Sequence, residues 1–159
     1  MKANIRPMTR GDKPAIMKLL AATPEFKPPE VVVAEEVIDS YLQSPSQSGY
    51  HILVAEGEKS VVGYICYGPA PLTEGTWDIY WVAVSREEQS RGVGSLLMTS
   101  AEDEIKRARG RLAIIETSSQ PEYEKTRRFY HRQGYELAGR IPDFYAPGDD
   151  KLILQKRLI

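Results

Sequence analysis

The chain has 159 residues, of which 42% are hydrophobic and 27% are charged, and its formal net charge is −1. Length and composition are those of one ordinary globular domain, and the total charge gives no sign of nucleic-acid binding. The single cysteine, Cys66, excludes an internal disulfide framework and fits a reducing cytosol. The first residues, 1–7, lack the apolar core of a signal peptide, and the longest strongly apolar stretch, 79–84, is too short to span a membrane. These features predict one cytoplasmic domain over 1–159, without a membrane or nucleic-acid partner.

The first half of the chain is predicted to hold a strand, two helices and a hairpin. Apolar residues at helical spacing indicate the helices, and Pro14 is tolerated in the first turn of the first one. In chain order the predicted segments are a strand over 3–8, a helix opening at Asp12, a break over 24–29, a helix over 30–43, a polar loop over 44–49, and strands over 50–55 and 60–67 around a turn at 56–59.

The second half predicts a buried strand followed by alternating helices and strands. The strand over 76–84 is apolar on both faces near its end, which is typical of a central strand. Next come a helix over 93–109, a strand over 112–117, a helix over 121–134 and strands over 135–141 and 151–158. The segment 142–150 between the last two strands is predicted to be an irregular connection. The helix over 93–109 has one apolar stripe, formed by Val93, Leu97, Ala101, Ile105 and Ala108.

The most informative motif lies between the strand over 76–84 and the helix that follows it. Residues 89–94 read Gln-Ser-Arg-Gly-Val-Gly. Two glycines at the start of a helix let the backbone approach an anion, and the first-turn N–H groups have no intrahelical partners. The helix dipole favours negative charge at the same point, and Arg91 adds a side-chain charge. The motif therefore predicts a phosphate or pyrophosphate site.

Two nucleotide-binding motifs do not fit this segment. A dinucleotide fingerprint needs a third glycine where the chain has Leu97, and a P-loop needs a Gly-Lys-Ser/Thr triplet that does not occur. What remains is Gln-x-x-Gly-x-Gly after a strand ending Val-Ala-Val, which resembles the acyl-CoA signature of the GNAT acyltransferase superfamily. Residues 126–135, Thr-Arg-Arg-Phe-Tyr-His-Arg-Gln-Gly-Tyr, look like the closing helix of that family. The predicted order of elements also resembles the GNAT order.

The resemblance implies both a fold and an activity. The fold is α/β (α+β), with a mixed central sheet of about seven strands and about four helices. The activity is N-acetyl transfer from acetyl-CoA to a primary amine by direct attack in a ternary complex, without a metal. The acetyl-CoA-binding residues that it implies are Val82, Val84, Gln89, Ser90, Arg91, Gly92, Val93, Gly94, Ser95 and Tyr130.

Three residues are candidates for the chemistry. By resemblance Tyr130 would protonate the leaving thiolate, and a phenol is suited to this because it is protonated at neutral pH. Asp78 and Glu116 match positions where relatives carry a catalytic carboxylate, and either could deprotonate the amine. The alternatives are a core tyrosine and ion-paired or hydrogen-bonded acids. Tyr123 stands where many relatives have Asn, so a side-chain contact to CoA is not expected there.

The acceptor cannot be read from the sequence. A small molecule is favoured over a protein, and the acids of 143–150 together with Phe144 and Tyr145 could either select a cationic amine or form a plain turn. A non-catalytic acyl-CoA sensor is the alternative function, which thioester turnover would separate from an enzyme. A homodimer formed through strand edges is compatible with the sequence.

Overall fold

The computed structural model describes residues 3–89 and 91–159, which form a mixed sheet of seven strands with four α-helices. The strands are β1 (Asn4–Pro7), β2 (His51–Glu56), β3 (Val61–Pro69), β4 (Thr76–Val84), β5 (Leu112–Ser118), β6 (Glu136–Ala146) and β7 (Asp149–Arg157). The helices are α1 (Lys13–Ala21), α2 (Pro28–Gln43), α3 (Val93–Arg107) and α4 (Glu124–Arg132). The predicted fold class is confirmed.

The strand order is β1-β2-β3-β4-β5-β7-β6. Strands β4 and β5 run parallel, and the other neighbouring strands are antiparallel. A parallel pair needs a crossover connection, which α3 supplies here. Within the described residues no helix combines the length and the apolar character needed to cross a membrane.

Two apolar cores lie on the two faces of the sheet. The α3-side core contains the predicted helix stripe, of which Val93, Leu97, Ala101 and Ile105 are buried. Ala108 follows the end of α3 and is exposed. The α2-side core packs α1 and α2 against the other face, with Ile16, Leu20 and Ile38 fully buried. The sheet is therefore covered on both faces, as a sheet with a parallel central pair requires.

Two helices begin at other residues than their patterns predicted. Helix α2 starts at Pro28, two residues before the predicted start, because proline is accommodated in a first helical turn. The segment from Pro121 to Tyr123 is a 3₁₀ turn, and α4 proper starts at Glu124. Short 3₁₀ turns are common at the ends of α-helices.

The prediction of an irregular connection over 142–150 was wrong. Strand β6 continues to Ala146, and β7 begins at Asp149, so the two form a long hairpin. The pairing breaks between Ile141 and Ala146, where Asp143 has a φ of 55°. The Asp143 side chain accepts from the Gly148 N–H at 2.8 Å, which holds the loop closed. Proline and turn residues therefore mark an irregularity in an edge strand here rather than its end.

A buried ionic network joins α3 to the C-terminal part of the chain. Glu102 of α3 is 6% exposed and accepts from the Tyr135 hydroxyl and from the Lys156 ammonium, both at 2.8 Å. A buried carboxylate needs such partners, since leaving one of its oxygens unpaired costs stability. The network fixes the turn after α4 against α3.

Candidate active site

A wedge-shaped gap opens in the middle of the sheet. Strands β4 and β5 pair from Thr76 to Ile79 on one side and from Leu112 to Ile115 on the other. Beyond this point β4 stays with β3 as far as Val84, and β5 stays with β7. The facing edges of the diverging strands have no ladder partner among the described residues. An extended ligand can pair with such an edge as an added strand.

A bulge in β4 decides which side chains face the gap. The pairing of β3 with β4 shifts register at Tyr80, which is left as one extra residue on β4. Ile79 before the shift and Val82 and Val84 after it all pack against the α3-side core. Odd and even positions would lie on opposite faces in a regular strand, so the bulge turns Val82 and Val84 toward α3 and α4.

The first cavity, called the α3-side cavity, lies between the end of β4, the start of α3 and α4. Its volume is 420 Å³. Seven of the predicted binding residues line it, namely Val82, Val84, Gln89, Gly92, Gly94, Ser95 and Tyr130. The sequence did not identify Lys125 and Arg132, which bring two cations to the same cavity. Arg132 lies within the second motif and Lys125 directly precedes it, but surface cations on a helix are too common to carry a prediction.

The start of α3 has the geometry of an anion site. Gly92 has a φ of 84° and precedes the helix, and the Leu96 N–H donates to its carbonyl at 3.0 Å. The N–H groups of Val93, Gly94 and Ser95 come before this first helical bond and point out of the helix end. A Cβ on Gly92 would meet nothing within 4 Å, so open space lies in front of it. Backbone donors and the helix dipole therefore converge on free volume.

Gly94 is required for packing as well. A Cβ at this position would lie 3.1 Å from two ring atoms of Phe129. The missing side chain lets α3 and α4 approach each other, whatever occupies the cavity. Gly94 therefore serves the fold, whereas Gly92 is free of such contacts.

The side chains of Gln89 and Ser95 connect the loop to its surroundings. Gln89 donates to the Val84 carbonyl at 3.2 Å and accepts from the Lys125 ammonium at 3.0 Å. Ser95 accepts from the Gln133 amide at 2.7 Å. The loop is thereby tied to both β4 and α4, and Lys125 is held at the mouth of the cavity.

The remaining predicted binding residues differ in position. Arg91 is exposed and does not line the cavity. The side chain of Val93 is 4% exposed in the α3-side core, so only its backbone faces the helix end. Ser90 lies outside the described residues.

The second cavity, called the α2-side cavity, lies on the other face of the gap and has a volume of 590 Å³. Its floor is formed by β4 and β5, and its walls come from the segment between α1 and α2 and from the β6–β7 hairpin. Both predicted carboxylates, Asp78 and Glu116, line it. Within residues 3–89 and 91–159, no three His, Cys, Asp or Glu side chains are grouped as metal ligands.

The two carboxylates differ in their surroundings. Asp78 is opposite Ile114 in the parallel pair, and Glu116 lies two residues farther on, so both face the same cavity. Burial raises the pKa of Asp78, and the neighbouring Glu116 raises it further. Glu116 is paired with the Lys151 ammonium at 2.9 Å. Asp78 has no such partner among the described residues and is the freer of the two to accept a proton.

Tyr130 lies where the two cavities meet. It is 6% exposed, it lines both cavities, and its hydroxyl has no hydrogen-bond partner among the described residues. Burial raises its pKa to about 12, so the phenol stays protonated at neutral pH. The residues that line both cavities are Thr23, Glu25, Val82, Thr126 and Tyr130. A protonated phenol thus stands among the residues shared by the two cavities.

The segment between α1 and α2 covers the site, and sequence reasoning missed it. Thr23 and Glu25 line both cavities, although no motif marks them. The Tyr123 hydroxyl donates to the Glu25 carbonyl at 2.9 Å. Tyr123 lines the α2-side cavity, and its hydroxyl is engaged in holding this cover.

Comparisons with known proteins agree with this geometry. The Acetyltransferase (GNAT) family matches residues 14–135. No curated protein matches the chain. Among solved structures, a GNAT-family protein from Desulfovibrio desulfuricans is 35% identical over 99% of this chain and 100% of its own, with a TM-score of 0.96. The structure of yncA from Salmonella typhimurium with its cofactor acetyl-CoA is 22% identical over 99% and 94% of the two chains, with a TM-score of 0.78. An aminoglycoside 6′-N-acetyltransferase complexed with coenzyme A is 18% identical over 98% and 97%, with a TM-score of 0.76.

Proposed function

The chain belongs to the acetyltransferase (GNAT) family, and from this premise we propose that it transfers an acetyl group from acetyl-CoA to a primary amine by direct attack in a ternary complex. One observation carries the proposal. Two cavities on opposite faces of the β4–β5 gap share a wall that contains Val82 and Tyr130. Donor and acceptor can therefore enter from different sides and meet without exchanging places.

The α3-side cavity fits acetyl-CoA. The pyrophosphate would bind the N–H groups at the start of α3, within the segment from Gln89 to Ser95, where a Cβ on Gly92 would project into open space. Lys125 and Arg132 add positive charge at the same cavity. The pantetheine arm would lie along the open edge of β4 at Val82 and Val84, in the manner of an added strand. Two structures of this fold hold the corresponding ligand. The yncA structure contains acetyl-CoA, and the aminoglycoside 6′-N-acetyltransferase structure contains coenzyme A.

The chemistry requires three proton transfers. The protonated amine loses a proton to Asp78, directly or through water, and its nitrogen then forms a bond to the acetyl carbon. Backbone N–H groups near Val82 stabilise the charge that develops on the carbonyl oxygen. The C–S bond breaks, and Tyr130 donates its proton to the departing thiolate. The extra proton that the attacking nitrogen still carries then returns to the Tyr130 phenolate, directly or through water. Glu116 lines the same cavity, but its carboxylate is ion-paired with Lys151.

Turnover of acetyl-CoA over a library of primary amines tests the proposal. We expect free CoA thiol to appear only with certain amines, together with a product that is heavier by one acetyl group. An amine-independent release of thiol, or none with any amine despite tight binding of acetyl-CoA, would favour a non-catalytic sensor.

Binding of acetyl-CoA is expected to stabilise the fold. At a hundredfold excess over the dissociation constant the gain is about 2.7 kcal/mol, because only the folded state offers the site. Melting curves with acetyl-CoA, NAD and ATP at equal concentration measure the effect. The two nucleotides should raise Tm much less, and an ATP shift as large as that of acetyl-CoA would contradict an acyl-CoA site.

Gly92→Ala separates an anion site from an ordinary turn. Its φ of 84° makes any side chain strained, so some stability is lost whether or not a ligand binds there. Gly148→Ala is the matched control, since Gly148 has a φ of 82° and open space around it but lies outside the α3-side cavity. Both variants should lose similar Tm. Only Gly92→Ala should weaken acetyl-CoA binding, by about tenfold, the value of a lost hydrogen bond to a charged group. Equal affinities for acetyl-CoA in the two variants would mean that the pyrophosphate does not bind at this helix end.

A further inference from the structure

Resting on the proposed function, we propose that the acceptor is a small organic cation with at least two basic nitrogens, whose second nitrogen binds between Glu25 and Glu30 while the first is acetylated beside Asp78. The α2-side cavity has a strong excess of negative charge. Five carboxylates line it, from Glu25, Glu30, Asp78, Glu116 and Asp149, against the single lining cation Lys27.

The acids divide into those with a side-chain partner and those without one. Glu116 is ion-paired with Lys151 of β7. Asp149 accepts a hydrogen bond from the Ser118 hydroxyl. Asp78, Glu25 and Glu30 have no side-chain hydrogen-bond or ion-pair partner among the described residues. The carboxylates without a partner therefore stand at two places, one on the strand floor and one on the wall formed by the α1–α2 segment and the start of α2.

The wall is held in position rather than left loose. Tyr123 fixes the α1–α2 segment through its hydrogen bond to the Glu25 carbonyl. Burial and, next, the charge of Glu30 raise the pKa of Tyr123 to about 12, so the hydroxyl that holds the wall stays protonated. The backbone that carries Glu25 is therefore held in a fixed position beside the α2-side cavity.

The size and lining of the cavity suit a small cation. A volume of 590 Å³ lies within the range of small-molecule sites, whereas a folded protein surface could present only a flexible end. Tyr80 and Tyr145 also line the cavity, and aromatic rings attract ammonium and guanidinium groups. Tyr130 is 6% exposed, its hydroxyl has no hydrogen-bond partner among the described residues, and it lines the same volume, where it marks the reacting end. An amine that carries a carboxylate would meet like charge at both ends.

Putrescine and butylamine provide a direct test, because they have the same number of carbons and differ in one charged end. We expect kcat/KM to be about tenfold higher for putrescine at low ionic strength, through a lower KM, and the difference to shrink as salt is added. Glu30→Gln should raise KM for putrescine, with kcat and the butylamine values nearly unchanged. Glu25→Gln should raise KM for putrescine as well. Glu36→Gln is the control, since Glu36 is exposed on the same helix and does not line the cavity.

The outcomes separate this inference from the proposed function. Turnover of both amines at equal kcat/KM, or the same response in Glu30→Gln and Glu36→Gln, would overturn the dication site and leave acetyl transfer intact. A preference for glutamate or for a short peptide over putrescine would overturn it as well. If no amine in the library is acetylated, the proposed function itself fails.

Discussion

Asp78→Asn is expected to lower kcat by about 10²–10⁴, the usual contribution of a general base, with the affinity for acetyl-CoA unchanged. The substitution keeps the shape of the side chain and removes its negative charge together with its ability to accept a proton. Asp78 lines the α2-side cavity, as Tyr130 does, and has no ion-pair partner among the described residues. Steady-state kinetics and acetyl-CoA titration measure the two quantities. Asp103→Asn, the same change at an exposed position of α3, should leave both unaltered.

The structure predicts that the two carboxylates contribute differently to kcat. Glu116→Gln should lower kcat less than Asp78→Asn, because its carboxylate is already engaged by Lys151. The larger effect in Glu116→Gln would reverse the assignment of the base. Full activity in both variants at every pH would mean that the amine loses its proton to solvent.

The pH dependence of stability follows from the same environment. Burial raises the pKa of Asp78 in the folded state, so the folded protein favours the neutral acid. The ionised carboxylate therefore costs stability above the raised pKa, and this cost disappears as the pH falls toward the ordinary value of the unfolded chain. Asp78→Asn should consequently raise Tm at neutral pH and bring little gain in acid. Melting curves at the two pH values test the sign.

The fold could be predicted from the sequence because its signals are local. Helical and alternating patterns gave the order of the elements, and the glycines of 89–94 located the start of α3. The segment 142–150 was misassigned for a related reason. Its Pro142 and Gly148 are local turn signals, whereas the pairing that keeps β6 extended comes from β7, which lies later in the chain.

The shape of the site could not be predicted in the same way. The divergence of β4 from β5 and the bulge at Tyr80 depend on three different strands, and no spacing within one of them records either feature. The cover formed by Thr23 and Glu25 reaches the site through a hydrogen bond from Tyr123, nearly a hundred residues away in the chain. No spacing or motif in the sequence marks Thr23 or Glu25, so the cover could not be predicted from it.

Tyr130→Phe, with Tyr135→Phe as its matched control, is expected to separate catalysis from stability. The two tyrosines flank the turn after α4, and both are buried. The Tyr130 hydroxyl has no partner among the described residues, so its removal should leave Tm nearly unchanged. The Tyr135 hydroxyl donates to buried Glu102 at 2.8 Å, and its loss should cost about 1.5–3 kcal/mol of stability.

The two substitutions should affect turnover in the opposite order to stability, with the larger effect in Tyr130→Phe. If Tyr130 protonates the departing thiolate, its hydroxyl acts only in the transition state, and kcat and kcat/KM should fall together by about 10²–10⁴ in Tyr130→Phe. Tyr135→Phe should keep kcat close to wild type below its lowered Tm, since its hydroxyl faces Glu102 rather than a cavity. Kinetics and melting curves give kcat and Tm for each of the two variants. The proposal requires the large fall in kcat to occur in Tyr130→Phe and the large fall in Tm to occur in Tyr135→Phe. Wild-type kcat in a folded Tyr130→Phe protein would assign the proton to water, and the buried phenol would then only shape the wall between the two cavities.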